Sequence, residues 1–211
     1  MLITAGPTHE PVDAVRYIAN RSSGRLGIAL AEAAAARRDR VTLLLGPTPS
    51  PPPQHSQVTT HRFQTTAELQ DLLRDLWQDH SVLIMAAAVA DYRPARRPDP
   101  SRKRSRGDGP WLLELDPTPD LLAEAAGIAR PDQVTVGFAL GPAEGLLERA
   151  REKLAAKHVD AIVANPLETM GADRIQATLL LRGGREMSAP ECSKAEFAIW
   201  LLEQIAEIKG A

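Results

Sequence analysis

Short apolar runs alternate along the chain with longer amphipathic segments, an alternation typical of βαβ units in a mainly parallel sheet. The apolar runs predict strands at 2–5, 41–45, 82–86, 134–138 and 161–164. The amphipathic segments predict helices at 26–37, 66–80, 119–129, 146–157 and 195–209. Near the end of the chain, 177–181 and 184–187 have the pattern of a hairpin joined through Gly183-Gly184. The pattern therefore predicts an α/β fold with an antiparallel C-terminal hairpin.

Two proline-rich segments interrupt this pattern. Residues 47–53 contain a Pro-Pro-Pro run, which fits neither a helix interior nor a central strand and predicts an exposed loop. Residues 93–110 combine prolines with a run of arginines and one lysine, and an apparent strand follows at 111–115. We expect this basic arm to be a mobile lid, or flap, over an anion, attached to a single domain spanning residues 1–211.

Composition narrows the class of protein. The 211 residues suffice for one α/β domain with a single core. The formal net charge is −2, so the chain lacks the excess of basic residues that would favour binding to nucleic acid or to an anionic membrane. The longest apolar stretch, 82–90, is too short to span a bilayer. The single cysteine, Cys192, cannot form an internal disulfide, and no secretion signal opens the chain. We therefore expect a cytoplasmic protein that binds neither nucleic acid nor membrane.

Glycine and hydroxyl residues after the first strand have the outline of a phosphate site. Gly6 follows the strand, and Ser22-Ser23-Gly24 stand directly before a predicted helix, whose N-terminus favours anions. The same residues also fit a plain turn at Gly6 and a helix cap at Ser22 and Ser23. The local pattern alone leaves these two interpretations equal.

A longer string of residues favours the phosphate site. The sequence TAGPTHEPVDAVRYIANRSSGRLG, residues 4–27, closely resembles the opening motif of the phosphopantothenoylcysteine synthetase family. The resemblance continues in order through AAAVADY at 86–92, TPDLL at 118–122, VGFA at 136–139 and two lysines followed by IVAN at 162–165. It runs from residue 3 to about residue 166.

The resemblance implies a Rossmann-like three-layer fold and a phosphopantothenate–cysteine ligase of coenzyme A biosynthesis. Such an enzyme activates 4′-phosphopantothenate with a nucleoside triphosphate, CTP in most bacterial members and ATP in eukaryotic ones, and joins it to L-cysteine. It also implies a homodimer and Mg²⁺ bound through phosphates. In bacteria the domain is commonly fused behind a flavin-containing decarboxylase. No such region is present in these 211 residues, so the chain is either a free-standing synthetase or an excised domain. We expect no flavin, and a separate phosphopantothenoylcysteine decarboxylase is a candidate partner.

By resemblance, Asn20 contacts the acyl-nucleotide, where an amide donor can stabilise the oxyanion that forms when the amine attacks. If 16–20 is helical or a tight turn, Arg16 and Asn20 share a face, where both could meet a reacting carboxylate as catalytic residues; a solvated arginine and a capping asparagine are the structural alternatives. Asp91 is assigned to the nucleotide, since its carboxylate can accept from the amino group of cytosine or adenine. Of the residues before Asp91, the resemblance assigns Met85, Ala86 and Ala87 to the nucleotide. It assigns Ala88 to the substrate.

The remaining assignments also come from the resemblance. It assigns Lys103 to the nucleotide, with Arg102 as the alternative register, whereas a solvated charge run is the structural alternative. Lys153 and Lys157 match nucleotide-binding lysines, and their i,i+4 repulsion would be relieved by a phosphate. Asn165 is assigned to pantothenate recognition. The nucleotide contacts are completed by Pro119, Asp120, Leu121, Leu122 and Phe138. In purely structural terms, this last set also fits a helix start and a core ring.

Two other classes of function also fit an α/β chain with an early glycine. A nicotinamide-dependent oxidoreductase lacks support, because no G-x-G-x-x-G motif follows the first strand. A nucleotide sensor that binds without turnover stays open on the sequence alone. The ligase mechanism has two steps, and it needs positioning and charge neutralisation rather than a Ser-His-Asp or Cys-His set.

Overall fold

A computed structural model describes residues 1–95, 103, 105, 107 and 110–210. In chain order its elements are β1 (Leu2–Ala5), β2 (Glu10–Pro11), β3 (Tyr17–Ile18), α1 (Arg25–Ala36), β4 (Val41–Leu45), β5 (Val58–Arg62), α2 (Thr66–Leu76), β6 (Val82–Met85), β7 (Tyr92–Pro94), β8 (Leu115–Pro117), α3 (Leu121–Gly127), β9 (Val134–Gly141), α4 (Leu146–Lys157), β10 (Ala161–Pro166), β11 (Arg174–Ile175), β12 (Thr178–Leu181), β13 (Glu186–Ser188), β14 (Cys192–Ser193) and α5 (Lys194–Gly210). Single-turn 3₁₀ helices occur at Trp77–Asp79 and Leu167–Thr169.

Eight strands form one sheet in the order β13-β12-β10-β9-β6-β1-β4-β5. The six strands from β10 to β5 are parallel to one another, and β12 and β13 run antiparallel at one edge. The mainly parallel sheet and the C-terminal hairpin are therefore both confirmed. The hydrophobic pattern missed β5 at the other edge, because none of its residues is buried and it has no apolar run.

Apolar packing occupies both faces of the sheet. On one face, α1 and α5 pack over alternate strand residues such as Ile3 and Ala5. On the other face, α2, α3 and α4 pack over the intervening residues such as Leu2 and Leu83. Successive strand side chains point to opposite faces, so burial on both sides explains why the central strands are continuously apolar. This arrangement is the predicted three-layer fold.

Two local predictions are wrong and one condition is not met, and each concerns a short element or an element end. Residues 16–20 are not a helical turn, because β3 pairs with β2 in a separate two-stranded ribbon. The strand expected at 111–115 begins later, because residues 111–114 form no strand and β8 covers Leu115–Pro117, where it pairs with β7. The helix expected from Pro119 begins at Leu121, and Asp120 caps it by accepting a hydrogen bond from the Ala123 N–H at 3.1 Å. Strands of two or three residues are too short for a hydrophobic period to reveal.

The two proline-rich segments have different outcomes. Residues 47–53 form neither helix nor strand, as predicted, but the expected exposure is wrong for most of the loop: only Pro49 and Pro51 are exposed, and Pro53 is buried. The basic arm at 93–110 lies largely outside the described residues, and Arg102 is among those left out. Of the helices that the structure does describe, none has the length and apolar character of a membrane span.

Gly27→Ala is expected to lower the free energy of unfolding by about 1–3 kcal/mol through overpacking. Gly27 lies in the first turn of α1, and a Cβ there would lie 2.5 Å from the Ala5 Cβ and 3.0 Å from the Thr4 carbonyl oxygen. The helix would have to move away from β1, which outweighs the better helix propensity of alanine, about 1 kcal/mol. Denaturant unfolding measures the change.

Gly127→Ala in α3 is the matched control, because nothing lies within 4 Å of a Cβ added there. Its free energy of unfolding is expected to stay within about 0.5 kcal/mol of the parent value. Equal destabilisation of the two variants would show that the close approach of α1 to β1 does not depend on glycine at position 27.

Candidate functional site

A cavity of about 820 Å³ opens at the carboxyl edge of the sheet. It lies where the strand order reverses, because β1 has β4 on one side and β6 on the other. Ligands of open α/β sheets bind at this switch point, outside the carboxyl ends of the strands. The predicted site residues that line the cavity are Asn20, Ser22, Ser23, Gly24, Met85, Ala86, Ala87, Ala88, Asp91, Pro119, Asp120, Leu121, Leu122, Phe138, Lys153, Lys157 and Asn165.

Two buried threonines hold the cavity floor, the segment that follows β6. The Ala87 N–H donates to the Thr4 hydroxyl at 3.0 Å, and the Ala90 N–H donates to the Thr8 hydroxyl at 2.9 Å. Between them, the Ala88 N–H donates to the Gly6 carbonyl at 2.9 Å. Buried backbone groups need such partners, so these bonds fix the segment. Gly6 thus lies behind the cavity wall and supports it through its backbone.

The N-terminus of α1 is open toward the cavity. Its N-cap residue, Gly24, has a φ of 70°, a conformation that favours glycine, and no side chain caps the helix. Ser22 accepts from the Gly24 N–H at 3.3 Å, and the Ser23 carbonyl accepts from the Thr48 hydroxyl at 2.6 Å. The interpretation that these serines cap the helix is therefore wrong. The first N–H groups of α1 have no helical acceptor and are available to an anion.

Asn20 is hydrogen-bonded to the segment that contains Asp91. The Asn20 amide donates to the Val89 carbonyl at 2.8 Å, which fixes the side chain and leaves its second N–H for a ligand. The Asp91 carbonyl accepts from the Thr118 N–H at 2.9 Å, which positions the loop before α3. Both side chains line the cavity.

Two lysines of α4 enter the cavity from the opposite face of the sheet. Lys153 donates to the Phe138 carbonyl at 2.6 Å, and Lys157 forms an ion pair with Asp120. Burial, together with the charge of Lys157, lowers the pKa of Lys153, although the carboxylates of Asp120 and Asp91 oppose the change. Burial would raise the pKa of Asp120, but the bonds from Lys157 and from its own helix outweigh it and lower that pKa.

Two neutral polar side chains at the end of β10 and just after it line part of the cavity. Asn165 donates to the Thr169 hydroxyl at 3.0 Å, and this hydroxyl donates to the Pro166 carbonyl at 2.6 Å. The chain thus orients the Asn165 side chain through a single 3₁₀ turn. Its predicted role in pantothenate recognition stays a prediction.

Besides Gly6, two predicted residues are described but do not line the cavity. Arg16 pairs with Asp13 at 2.8 Å and lies over the Trp111 ring at 5.4 Å. The helix or tight turn that would have given Arg16 and Asn20 a shared face does not form, because Tyr17–Ile18 is strand β3. Lys103 is exposed. The alternative to Lys103, Arg102, lies outside the described residues.

Sequence reasoning missed a group of cations in the cavity, namely Arg21, Arg25 and Lys194. A signal for Lys194 exists, because Ser193 and Glu196 have the spacing of a capping box, which makes Lys194 the first residue of a helix. The structure contains both bonds of that box, at 3.2 Å and 2.8 Å. The pattern places the lysine on the helix but does not reveal that this helix end faces the cavity.

The described residues contain no group of three or more His, Cys, Asp or Glu side chains that could hold a metal ion. The two carboxylates in the cavity, Asp91 and Asp120, fit a Mg²⁺ ion only as secondary contacts, since Asp120 is already bonded to Lys157 and Ala123. Mg²⁺ typically keeps several waters and binds through substrate phosphates. The donor set therefore fits an ion carried in by a nucleotide.

Comparison with known proteins gives one consistent family. The model of the DNA/pantothenate metabolism flavoprotein C-terminal domain matches residues 1–208. The chain is 35% identical over 212 residues to the coenzyme A biosynthesis bifunctional protein CoaBC of Bacillus subtilis, covering 99% of this chain and 51% of that protein. It is 41% identical over 172 residues to a protein named cysteine/cysteine sulfinic acid decarboxylase from an unknown prokaryotic organism, covering 82% and 47%. The chain thus spans about half the length of these relatives.

A solved structure gives the same result for the fold. The crystal structure of the C-terminal domain of CoaBC superposes with a TM-score of 0.83 at 33% identity, covering 98% of this chain and 93% of that one. The family model and this structure agree over nearly the whole chain, and the cavity contains the motifs that indicated the same family. The chain therefore belongs to the family of the DNA/pantothenate metabolism flavoprotein C-terminal domain, the phosphopantothenoylcysteine synthetase family.

Proposed function

We propose that the chain is a phosphopantothenate–cysteine ligase of coenzyme A biosynthesis that uses CTP. The observation that carries the proposal is the cavity at the sheet edge, where Asn20, Asp91 and Lys153 meet beside the open N-terminus of α1. The decarboxylase name of one relative describes a protein of which the chain covers 47%, so that name assigns no activity to this chain.

In the first step, a carboxylate oxygen of 4′-phosphopantothenate attacks the α-phosphorus of CTP. The bond from phosphorus to the bridging oxygen breaks, and pyrophosphate leaves with the electron pair. Lys153, Lys157 and the α1 N-terminus supply positive charge on both sides of the reacting phosphates. Mg²⁺, when bound to those phosphates, supplies further charge neutralisation. Positioning and electrostatic stabilisation account for catalysis of this kind without a protein nucleophile.

In the second step, the amine of L-cysteine attacks the acyl carbon of the acyl-cytidylate. A tetrahedral oxyanion forms, then CMP leaves and the amine proton passes to solvent or to the departing phosphate. The free N–H of Asn20 can donate to this oxyanion, because its other N–H is held by Val89. A donor fixed in advance stabilises the developing charge without reorganisation.

The choice of CTP over ATP has less support than the rest of the proposal. The Asp91 carboxylate lines the cavity next to three alanines whose small side chains leave room for a flat ring. A carboxylate accepts equally from the amino group of cytosine or of adenine. CTP therefore rests on the resemblance to bacterial members, and a direct comparison with ATP decides between them.

We also propose that the chain forms a homodimer through its two small ribbons. The β2–β3 and β7–β8 ribbons lie side by side and carry large apolar side chains that are exposed, including Tyr17 at 55%, Tyr92 at 54% and Leu115 at 42%. Contiguous exposed apolar groups of this kind mark interaction surfaces. The lid role of Lys103, the separate decarboxylase partner and the cytoplasmic location stay predictions.

Pyrophosphate release is the test of the proposed function. Without cysteine, we expect about one pyrophosphate per site, and only when 4′-phosphopantothenate and CTP are both present. Adding L-cysteine is expected to convert this burst into turnover. ATP is expected to support a slower rate than CTP.

Two measurements separate the rival classes. A sensor would bind CTP without releasing pyrophosphate, and an oxidoreductase would bind NAD(P), so the absence of NAD(P) binding dismisses that class. The absence of pyrophosphate with both CTP and ATP would contradict the ligase assignment.

A further inference from the structure

Glu10 is a buried carboxylate that neither reaction step uses. It is 4% exposed and lies outside the cavity lining. Its Oε1 atom accepts two hydrogen bonds from Thr66, one from the backbone N–H and one from the hydroxyl, both at 2.7 Å. Thr66 is the first residue of α2, so the carboxylate also lies at the positive end of that helix. These contacts compensate the burial of the charge.

The Thr66 hydroxyl extends this contact toward the cavity floor. It has one hydrogen, and its shorter contact is the one to Glu10. The Thr8 hydroxyl oxygen lies 3.3 Å from the Thr66 hydroxyl oxygen and accepts from the Ala90 N–H at 2.9 Å. Because the Thr66 hydrogen is directed to the carboxylate, the Thr8 hydroxyl is left to donate to Thr66. The bonds thus form one buried chain from the cavity floor to Glu10.

This chain of bonds ends on the peptide unit that holds Asn20. The Val89 carbonyl accepts from the Asn20 amide at 2.8 Å. That carbonyl and the Ala90 N–H belong to the same planar peptide unit, so a bond that fixes one also fixes the direction of the other. Thr8 therefore orients the acceptor on which the Asn20 side chain depends. Hydrogen bonds at the two ends of one peptide also polarise, and so strengthen, each other.

Glu10 also anchors the strand pair that leads to Asn20. Glu10 is the first residue of β2 and is paired with Ile18 of β3, and Asn20 follows two positions after Ile18. One route from Glu10 thus sets the donor of the bond between Asn20 and Val89, through the paired strands. The other route sets the acceptor of the same bond, through the two threonine hydroxyls.

We propose that Glu10 is a positioning residue for Asn20, acting through the two threonine hydroxyls and the 89–90 peptide. The inference rests on the proposed ligase function, in which the free N–H of Asn20 donates to the oxyanion of the second step. Such a donor stabilises the developing charge when it is oriented before the reaction, and a small displacement is enough to slow the step. The chain of bonds therefore acts on the second step and not on the first.

Thr66→Val tests the chain of bonds, because it removes the hydroxyl and keeps the backbone N–H that donates to Glu10. Pyrophosphate release in the first turnover is expected to keep its parental rate. The reaction of the acyl-cytidylate with L-cysteine is expected to slow about fivefold to tenfold, which corresponds to one net hydrogen bond. Thr66→Ser keeps the hydroxyl and is expected to restore most of that rate. Quenched-flow analysis measures both steps.

Thr65→Val is the matched control. Thr65 is the N-cap of α2, and its side chain accepts from the Glu68 N–H at 3.2 Å. The same substitution on the neighbouring residue loosens the same helix end, so a purely structural effect would slow both variants. The second step of Thr65→Val is expected to keep the parental rate. Equal slowing in Thr65→Val and Thr66→Val, or no slowing in Thr66→Val, overturns the inference.

A double variant tests whether Glu10 acts through the hydroxyl. Residues that act in one chain are not additive, so Thr66→Val is expected to have little further effect on the second step in the Glu10→Met background. The full loss of Thr66→Val in that background would show that the two residues act independently, and it would overturn the chain of bonds. Glu10→Gln replaces Glu10→Met in this cycle if Glu10→Met does not fold.

Amide hydrogen exchange tests the chain of bonds without turnover. In Thr66→Val, exchange of the Ala90 N–H is expected to rise about fivefold. The Ala87 N–H, which donates to the Thr4 hydroxyl at 3.0 Å, is expected to exchange as in the parent. This pattern in a chain that releases no pyrophosphate would contradict the ligase function and leave the chain of bonds intact. Parental exchange of the Ala90 N–H in Thr66→Val, with normal pyrophosphate release, overturns the inference alone.

Discussion

Asn20→Asp is expected to accumulate the acyl-nucleotide while product formation slows about 10²- to 10³-fold, the loss typical of one oxyanion donor. The substitution replaces the N–H that would face the oxyanion with a carboxylate oxygen. It also breaks the 2.8 Å bond to the Val89 carbonyl and places two oxygens against each other. Pyrophosphate release in the first turnover is expected to persist. Quenched-flow separation of acyl-cytidylate from product measures both steps.

Gln57→Glu is the matched control for this variant. Gln57 also donates its side-chain amide to a backbone carbonyl, that of Arg38 at 3.3 Å, but it lies outside the cavity. It makes the same change from amide to carboxylate, and its rates are expected to equal those of the parent. If Asn20→Asp forms product at the parental rate, Asn20 does not stabilise the oxyanion.

Lys153→Met is expected to weaken CTP binding about 100-fold, near the upper range for a hydrogen bond to a charged group. Lys153 is partly buried, lines the cavity and donates one hydrogen bond to a protein acceptor, the Phe138 carbonyl, so its remaining N–H groups are available to a ligand. Calorimetry with CTP and Mg²⁺ measures the affinity.

The pH dependence of CTP binding follows from the same lysine. Burial lowers the pKa of Lys153, and binding requires its charged form. Affinity is therefore expected to fall, as pH rises, at a lower pH than an ordinary lysine would give. In Lys153→Met this alkaline loss is expected to disappear.

Arg149→Met provides the control on the same helix. Arg149 also donates to a backbone carbonyl, that of Pro142 at 2.7 Å, but it does not line the cavity. Its CTP affinity is expected to stay within a factor of about two of the parent value, as for surface substitutions. Equal losses in Lys153→Met and Arg149→Met would show that the charge of α4, and not a contact from Lys153, determines affinity.

The sequence determined the type and order of the long elements. The helix predicted at 146–157 has the bounds of α4, and the central strands were visible because both of their faces are buried. The motif residues 20–24, 85–91 and 118–122 also follow from the sequence as a group. They come after strands or before helices of a parallel sheet, and such positions collect at its carboxyl edge.

Only the tertiary structure decided which helix ends share the cavity. Lys194 and Arg25 are 169 positions apart in the sequence numbering, and their approach depends on α5 packing beside α1. The ion pair of Lys157 with Asp120 likewise joins residues that are far apart in the sequence. The lack of a side-chain cap on α1 follows from the conformation of the chain before the helix. The spacing of apolar residues along a short stretch of sequence indicates whether that stretch forms a helix or a strand. Contacts between elements depend on the order of the strands in the sheet, which no local period encodes.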